Sequence, residues 1–599
     1  MRHRFLSGCA LIVMLTPAMG ADTSTGIDMT AMDRSIRAGD DFYGYANGIW
    51  LKRTQIPPDQ SRWGGFSILN EQVQNRTRTL IEDAAKTAPS NSEAEKAGDF
   101  YASYMDRKAI ETKGIAPLQS QLTAIAAISN KAGLARAMGA SLRADVDPLN
   151  NTNFHTENLF GIWVAPGFDD PGHYTPYLLQ GGLGMPSRDF YLGTTERMQT
   201  IQAAYRSYIA TQLRLAGVPD SEAKANAIFD LETAIARGQE SIVESQDVAK
   251  ANNPWAHVDF HRRAPGLEWD AFFEGAGLTR IARYIVWQPS AFTKISKLVA
   301  DAPLDTWKAW LTFHSINQYA DELPARFVDA HFGFYGKTLS GTPQQQELWK
   351  RGVRATNAPL GDAVGKLYVA KFFPPAAKAK ADEMVRNIVA AWGRRLDAIT
   401  WMAPATKAEA RAKLRTLYVG VGYPEKWRDY SGLTVVRGDA LGNEMRSRLF
   451  EYHRSVERIG QPVERHEWSM TPQTVNAVNL PLQNALNFPA AILGRPFFDP
   501  RADDAFNYGA IGAVIGHEIS HSFDNQGAAF DAAGRLQNWW TKDDLAYFQQ
   551  SGQALVAQYN AYAPFPDAQV NGQQTMGENI ADNAGLAASY DAWQASLKG

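Results

Sequence analysis

The sequence predicts a mainly α protein with small β-sheets, organised as two lobes. Three observations point there. The chain has 599 residues, and a single hydrophobic core rarely grows past about 250–300. From Ser92 to about Gly420 apolar residues recur at three-to-four spacing, the period of an amphipathic helix. Extended apolar runs bounded by turn residues are few.

The chain opens on a segment expected to be removed. Arg2 and Arg4 precede a mostly apolar stretch from Phe5 to Thr16, and Ala18-Met19-Gly20 is a small-x-small cleavage site. Residues 1–20 thus read as a secretory signal peptide. The apolar run is short for a membrane anchor, and too little of it precedes Leu6-Ser7-Gly8-Cys9 for a lipoprotein signal. An exported protein, periplasmic or extracellular, is expected. Cys9 is the only cysteine, so the mature chain has no disulfide and no thiol nucleophile.

Further along, Phe160–Val164 is apolar and bounded by Pro166 and Gly167, a strand. Ile201, Tyr205, Tyr208 and Ile209 form a helical stripe that stops at Gly217 and Pro219. Ile228, Leu231 and Ile235 continue in a second helix, with Ser221 as its cap. These aromatic stripes read as core rather than as a ligand site. Lys407, Glu409, Arg411, Lys413 and Arg415 read as a solvated helix face. Thr474–Val478 reads as a strand limited by Pro481.

Composition narrows the function. Apolar residues make up 45% and charged residues 21%, an ordinary globular balance. Lys+Arg is 60 against Asp+Glu 63, which offers no electrostatic footprint for nucleic acid. No internal segment approaches the ~20 apolar residues of a membrane span, so none is expected in the mature chain. Oligomeric state is left open.

The chemistry concentrates in Gly509–Asp524, which contains His517-Glu518-Ile519-Ser520-His521. On a helix, positions i and i+4 share a face, so both imidazoles can converge on one Zn²⁺. Glu518 beside the first ligand can take a proton from water on the metal. Ile511, Val514 and Ile515 are apolar, so this helix should be buried, where uncompensated polar groups are costly. Glu578 and Asp582 repeat the i, i+4 spacing between apolar neighbours Ile580, Ala581 and Leu586. One carboxylate can complete a His₂Glu site. The other can accept an imidazole N–H and fix its tautomer.

With these motifs in place, the chain resembles the neprilysin family of zinc endopeptidases. Asn507–Asp524 follows the family's zinc-helix pattern, and Gly577-Glu-Asn-Ile-Ala-Asp-Asn583 its second signature. Val475-Asn-Ala477, Phe488–Leu493 and Pro496-Phe-Phe498 resemble its substrate strand. Asp40–Trp50, Ser61–Phe66, Met185–Tyr191 and Tyr423–Trp427 match further motifs, so the resemblance runs from about residue 27 to the end. It implies one zinc per chain on His517, His521 and Glu578, with Glu518 as general base and Asp582 behind His517. Asn476 and the Ala477 backbone would hold a peptide as an added strand, and Arg62 would face its C-terminal end. Phe66, Ile492, Phe497 and Val514 would shape an apolar pocket for the residue after the scissile bond.

The implied fold is a two-lobed, gluzincin-type metallopeptidase enclosing a central cavity. The implied domains are an N-terminal segment (21–75) joining the catalytic lobe, a helical lobe over the active site (76–430) and the zinc lobe (431–599). Gly39 and Asn47 stand where animal members carry cysteines, and Ser67 replaces a family Asp near Arg62. Family members also carry, beyond the Glu578 motif, a His for the oxyanion and an Arg for the substrate carbonyl. No His follows His521 here and no Arg follows Arg535, so a C-terminally incomplete catalytic lobe is expected. The expected function is a zinc endopeptidase acting on oligopeptides at the amino side of hydrophobic residues. The alternatives are an inactive zinc-binding peptide-binding or scaffold protein and a zinc aminopeptidase.

Overall fold

The structure is a computed structural model that describes residues 26–566 and 568–598; the signal-peptide segment 1–20, with Cys9, lies outside them. The chain divides into two compact units, one reaching to Gln55 with Arg501–Phe506 added, the other comprising Ile56–Pro500 and Asn507 onward. The smaller unit is organised by a helix, Phe42–Arg53. Asp41 caps it by accepting from the Gly44 N–H at 2.8 Å, and Lys52 pairs with Asp33 at 2.6 Å.

The larger unit is mainly helical with two small mixed sheets, as the sequence predicts. Its helices include α1 (Gly65–Thr87), α2 (Glu196–Leu215), α3 (Ser221–Gly238), α4 (Leu304–Asn317), α5 (Leu348–Phe372), α6 (Pro375–Ala398), α7 (Pro404–Thr416), α8 (Ile511–His521) and α9 (Met576–Ser596). The first sheet has the order β1-β2-β4-β3, from β1 (Phe160–Pro166), β2 (Tyr174–Gln180), β3 (Pro254–Ala256) and β4 (Arg283–Val286). β1 and β2 are antiparallel, with Trp163 opposite Tyr177, and β2 runs parallel to β4. The second sheet, β5-β7-β6, joins β5 (Tyr418–Gly422), β6 (Val478–Leu480) and β7 (Ala485–Pro489).

One large aromatic core draws on residues from Leu118 to Phe334 and is completed by Leu441 and Tyr452. Phe160 lies flat on Phe292, ring centres 4.1 Å apart. Tyr205, Tyr208 and Ile209 of α2 and Ile228, Leu231 and Ile235 of α3 are all buried in it, as their spacing predicts. A second core gathers α1, α6, α8 and α9 around β5 and β7.

Three local expectations need correction. Ser221 is the first residue of α3, not its cap; its hydroxyl turns back to the Val218 carbonyl, and Asp220 takes the cap position with φ +55°. The strand expected at Thr474–Val478 begins only at Val478. Thr474 is held in a turn by its N–H bond to the Thr471 carbonyl, so pairing with β7 starts four residues later. The charged face of α7 is solvated except at Lys413. That side chain is 1% exposed, and its ammonium donates to the carbonyls of Gly527 and Phe530, both at 2.7 Å.

Candidate metal centre and peptide cleft

α8 buries Ile511, Ile515 and Ile519 in the second core. Its opposite face carries His517 and His521 to a cleft. α9 crosses α8 at two glycines. A Cβ on Gly516 would lie 2.3 Å from the Gly585 carbonyl oxygen, and one on Gly585 would lie 2.3 Å from the His517 nitrogen. Nothing larger than hydrogen fits, and this contact carries Glu578 and Asp582 to the histidines.

The result is a converging set. His517 Nε2 and His521 Nε2 stand 2.9 Å apart, and Glu578 Oε2 lies 3.3 Å from the first and 3.8 Å from the second. Among the described residues this is the one group of three ligating side chains whose donor atoms all lie within 4.8 Å of one another. The far nitrogens are occupied. His517 Nδ1 meets Asp582 Oδ1 at 2.9 Å, and His521 Nδ1 meets Asp524 Oδ2 at 2.7 Å. With each Nδ1–H donated to a carboxylate, the two Nε2 lone pairs face each other and need a positive charge between them. Two imidazoles and a carboxylate are a donor set suited to zinc with a coordination position left open. The residues present therefore fit the metal.

Electrostatics agree. Burial alone would lower the His517 pKa, but the bonds to Asp582 and Glu578, with the Glu518 charge, outweigh it and raise it to about 10. Burial likewise opposes a charged His521, and Asp524 overcomes it. The site is built to hold positive charge. The His517 bond holds Glu578 below the ordinary range despite partial burial. Glu518 is 7% exposed and lines the cleft. Burial, with the Glu578 charge, lifts its carboxyl above the ordinary value against the pull of both imidazoles. A carboxyl so placed accepts a proton more readily than one in water.

Two participants escape the sequence reading. Asp524 orients His521 and also accepts from the N–H groups of Gln526 and Gly527, at 2.8 and 2.7 Å. Asn479 of β6 donates to the Glu518 carbonyl at 2.8 Å and to Ser522 Oγ at 2.9 Å, tying the sheet to the metal helix. Asp524 stands three residues after His521, a signal open to a helical reading. Nothing local marks Asn479.

The metal cleft has a volume of 310 Å³, and Asn476, Ala477 and Asn479 form one wall. Asn476 is exposed and also lines a larger cleft of 1040 Å³ that contains Arg62 and Phe66. Phe66 packs on Phe497 with ring centres 4.4 Å apart. Ile492 is wholly buried, and Phe497 and Val514 pack against the same core; none of the three lines either cleft.

Comparison with known proteins follows this geometry. Models of peptidase family M13 match residues 38–424 and 476–599. An endothelin-converting enzyme homolog of Locusta migratoria is 30% identical, the match covering 96% of this chain and 81% of that protein. The crystal structure of Mycobacterium tuberculosis zinc metalloprotease Zmp1 with an inhibitor superposes with a TM-score of 0.90 at 37% identity, over 96% of this chain and 87% of that one. PepO from Lactobacillus rhamnosis gives 0.83 at 27% identity, over 94% and 87%.

Proposed function

The chain belongs to peptidase family M13, a family of zinc metalloproteases, and from that premise we propose that it is an endopeptidase hydrolysing oligopeptides with Glu518 as general base. One observation carries the reading: His517, His521 and Glu578 converge within 4.8 Å in a cleft that the buried, proton-seeking Glu518 also lines. Zinc held by these three side chains supplies Lewis acidity toward water and toward a scissile carbonyl.

The protein's own groups do the rest. Glu518 accepts the proton of the attacking water and delivers it to the departing amine, so one residue serves as base and then acid. Asp582 and Asp524 hold the two imidazoles in the tautomer that presents Nε2 to the metal. Asn476 and Ala477 extend β6, the edge strand of its sheet, and would hold a peptide as an added strand. Phe66 offers an exposed ring against Phe497, which favours cleavage before a hydrophobic residue. Arg62, in the same large cleft, suits the carboxylate end of a short peptide. Residues 1–20 support export to the periplasm or beyond. Among the described residues no helix is long and apolar enough to cross a membrane.

The test is cleavage of an internally quenched, N-acetylated peptide with Phe or Leu after the intended bond. The zinc-loaded protein should cleave it, and Glu518→Ala should not while still binding zinc. Cleavage only of the free-amine form would replace the reading with an aminopeptidase. Zinc and peptide binding without turnover by the parent would leave an inactive peptide-binding protein.

A further inference from the structure

A second cavity, of 300 Å³, lies in the region of the first core and is walled by Asp145, Glu157, Asp321 and Glu322. One further cavity separates it from the metal cleft. His155 and Thr156 line both this cavity and a neighbouring one of 230 Å³, which in turn shares Thr152, Gln246 and Gln574 with the metal cleft. Asn151 and Asn476 of the metal cleft are shared with the large cleft that contains Arg62 and Arg354. The basic cleft thus adjoins the metal cleft directly, and the acidic cavity is linked to it through the intervening cavity.

The carboxylates of this cavity are unequal. Asp145 accepts from Thr156 Oγ1 at 2.7 Å and Asn158 Nδ2 at 3.2 Å. Glu157 is paired with His314 and bonded by Asn317, both at 2.8 Å. Asp321 has Arg354 at 3.8 Å. Arg448, the cation on the wall, is engaged by Glu444 at 2.6 Å and by the Gln318 carbonyl at 3.1 Å. Glu322 stands apart. It is 9% exposed, lines the cavity, and makes no hydrogen bond or ion pair to another side chain among the described residues. Burial, then the neighbouring Glu444 and Asp321 charges, push its carboxyl well above the ordinary range, against the pull of Arg448. Burying such a carboxyl with no cation bonded to it is costly, and an arriving cation would relieve it.

We propose that this cavity is a subsite for a cationic nitrogen, ammonium or guanidinium, of a peptide lying in the metal cleft. The proposal rests on the peptidase reading above and specifies its substrate class: peptides with a positive charge on the amino-terminal side of the scissile bond. A metal ion fits the cavity poorly, because among the described residues only His517, His521 and Glu578 bring three ligating atoms within 4.8 Å. His331 on the wall leads directly into a π-helical segment, Phe332–Leu339. Such segments occur frequently at functional sites.

The experiment measures binding to the Glu518→Gln protein by calorimetry, so that turnover does not intervene. N-acetylated peptides carry one lysine at successive positions on the amino side of the scissile bond, with norleucine as the uncharged control. A lysine-free peptide with a free amino terminus forms the second arm and separates an N-terminal ammonium from a side chain. One lysine position, or the free amine, should bind about tenfold tighter than its control, and Glu322→Gln should abolish the advantage. If Glu322→Gln loses the fold, Asp321→Asn decides in its place. Equal binding of lysine and norleucine at every position, together with no gain from the free amine, would overturn the proposal. So would an advantage that survives both substitutions. Failure of the parent to cleave the neutral peptide would overturn the peptidase reading instead, while the binding arms still decide the subsite.

Discussion

Gly516 and Gly585 touch backbone to backbone where α8 and α9 cross, and each occupies the space that the other's Cβ would need. The metal ligands come from both helices, so this contact sets the distance between His517 and Glu578. Gly585→Ala should force the helices apart, because the obstacle is backbone rather than a movable side chain. A stability loss of about 1–3 kcal/mol is expected, together with weaker zinc binding. Gly509→Ala is the control, since a Cβ there meets nothing within 4 Å. Thermal melts with and without zinc should show a smaller zinc-induced rise for Gly585→Ala than for Gly509→Ala. Equal rises would separate the crossing from the metal site.

Asp524 and Asp582 hold the far nitrogens of the two histidines. Replacing such a partner typically lowers metal affinity or activity about 10–100-fold. Asp524→Ala should do more damage than Asp582→Ala, because Asp524 also accepts from the Gln526 and Gly527 N–H groups. Zinc affinity by chelator competition gives the order directly.

What the sequence shows of this site is the part fixed by local geometry. The i, i+4 spacing of His517 and His521, and of Glu578 and Asp582, places each pair on one helix face whatever the rest of the fold does. The glycine crossing depends on which helix packs against α8, and spacing along one helix does not name its partner. Lys413 shows the same boundary. Its alternating charged neighbours have the pattern of a solvated face, and only the loop at Gly527–Phe530 converts one position into a buried one. The shifted start of β6 likewise follows from a turn at Thr471–Thr474 that the apolar pattern does not record.

Lys413 carries a pH signature. Burial lowers its pKa to about 7 against the pull of Asp524 and Asp531. Between about 7 and the ordinary lysine value near 10.4, the unfolded chain therefore binds a proton that the folded chain does not. Stability rises with pH wherever the unfolded state holds more protons. Lys413→Met removes that dependence and leaves the Gly527 and Phe530 carbonyls without their donor, at a cost of about 1–3 kcal/mol for each unsatisfied group. In urea unfolding, the parent's advantage over the variant should grow from pH 7 to pH 10. A constant difference would mean that the lysine stays charged in the fold.

His314 gives the opposite slope. Its ring lies between Glu157 and Glu232 at 2.8 and 2.9 Å. Burial disfavours the imidazolium, but the two carboxylates prevail and raise the pKa to about 9. Here the folded state holds the extra proton. The stabilisation is fully present below the ordinary histidine value of about 6.5 and is lost as pH rises through about 9. A shift of this size corresponds to about 3 kcal/mol. The advantage of the parent over His314→Gln should therefore shrink by about that amount between pH 6 and pH 10. Between pH 7 and 9 the Lys413 and His314 contributions oppose each other, so the parent alone shows a shallow profile. The two variants should tilt it in opposite directions, Lys413→Met toward loss of stability with rising pH and His314→Gln toward gain. Parallel profiles for the two variants would remove both assignments at once.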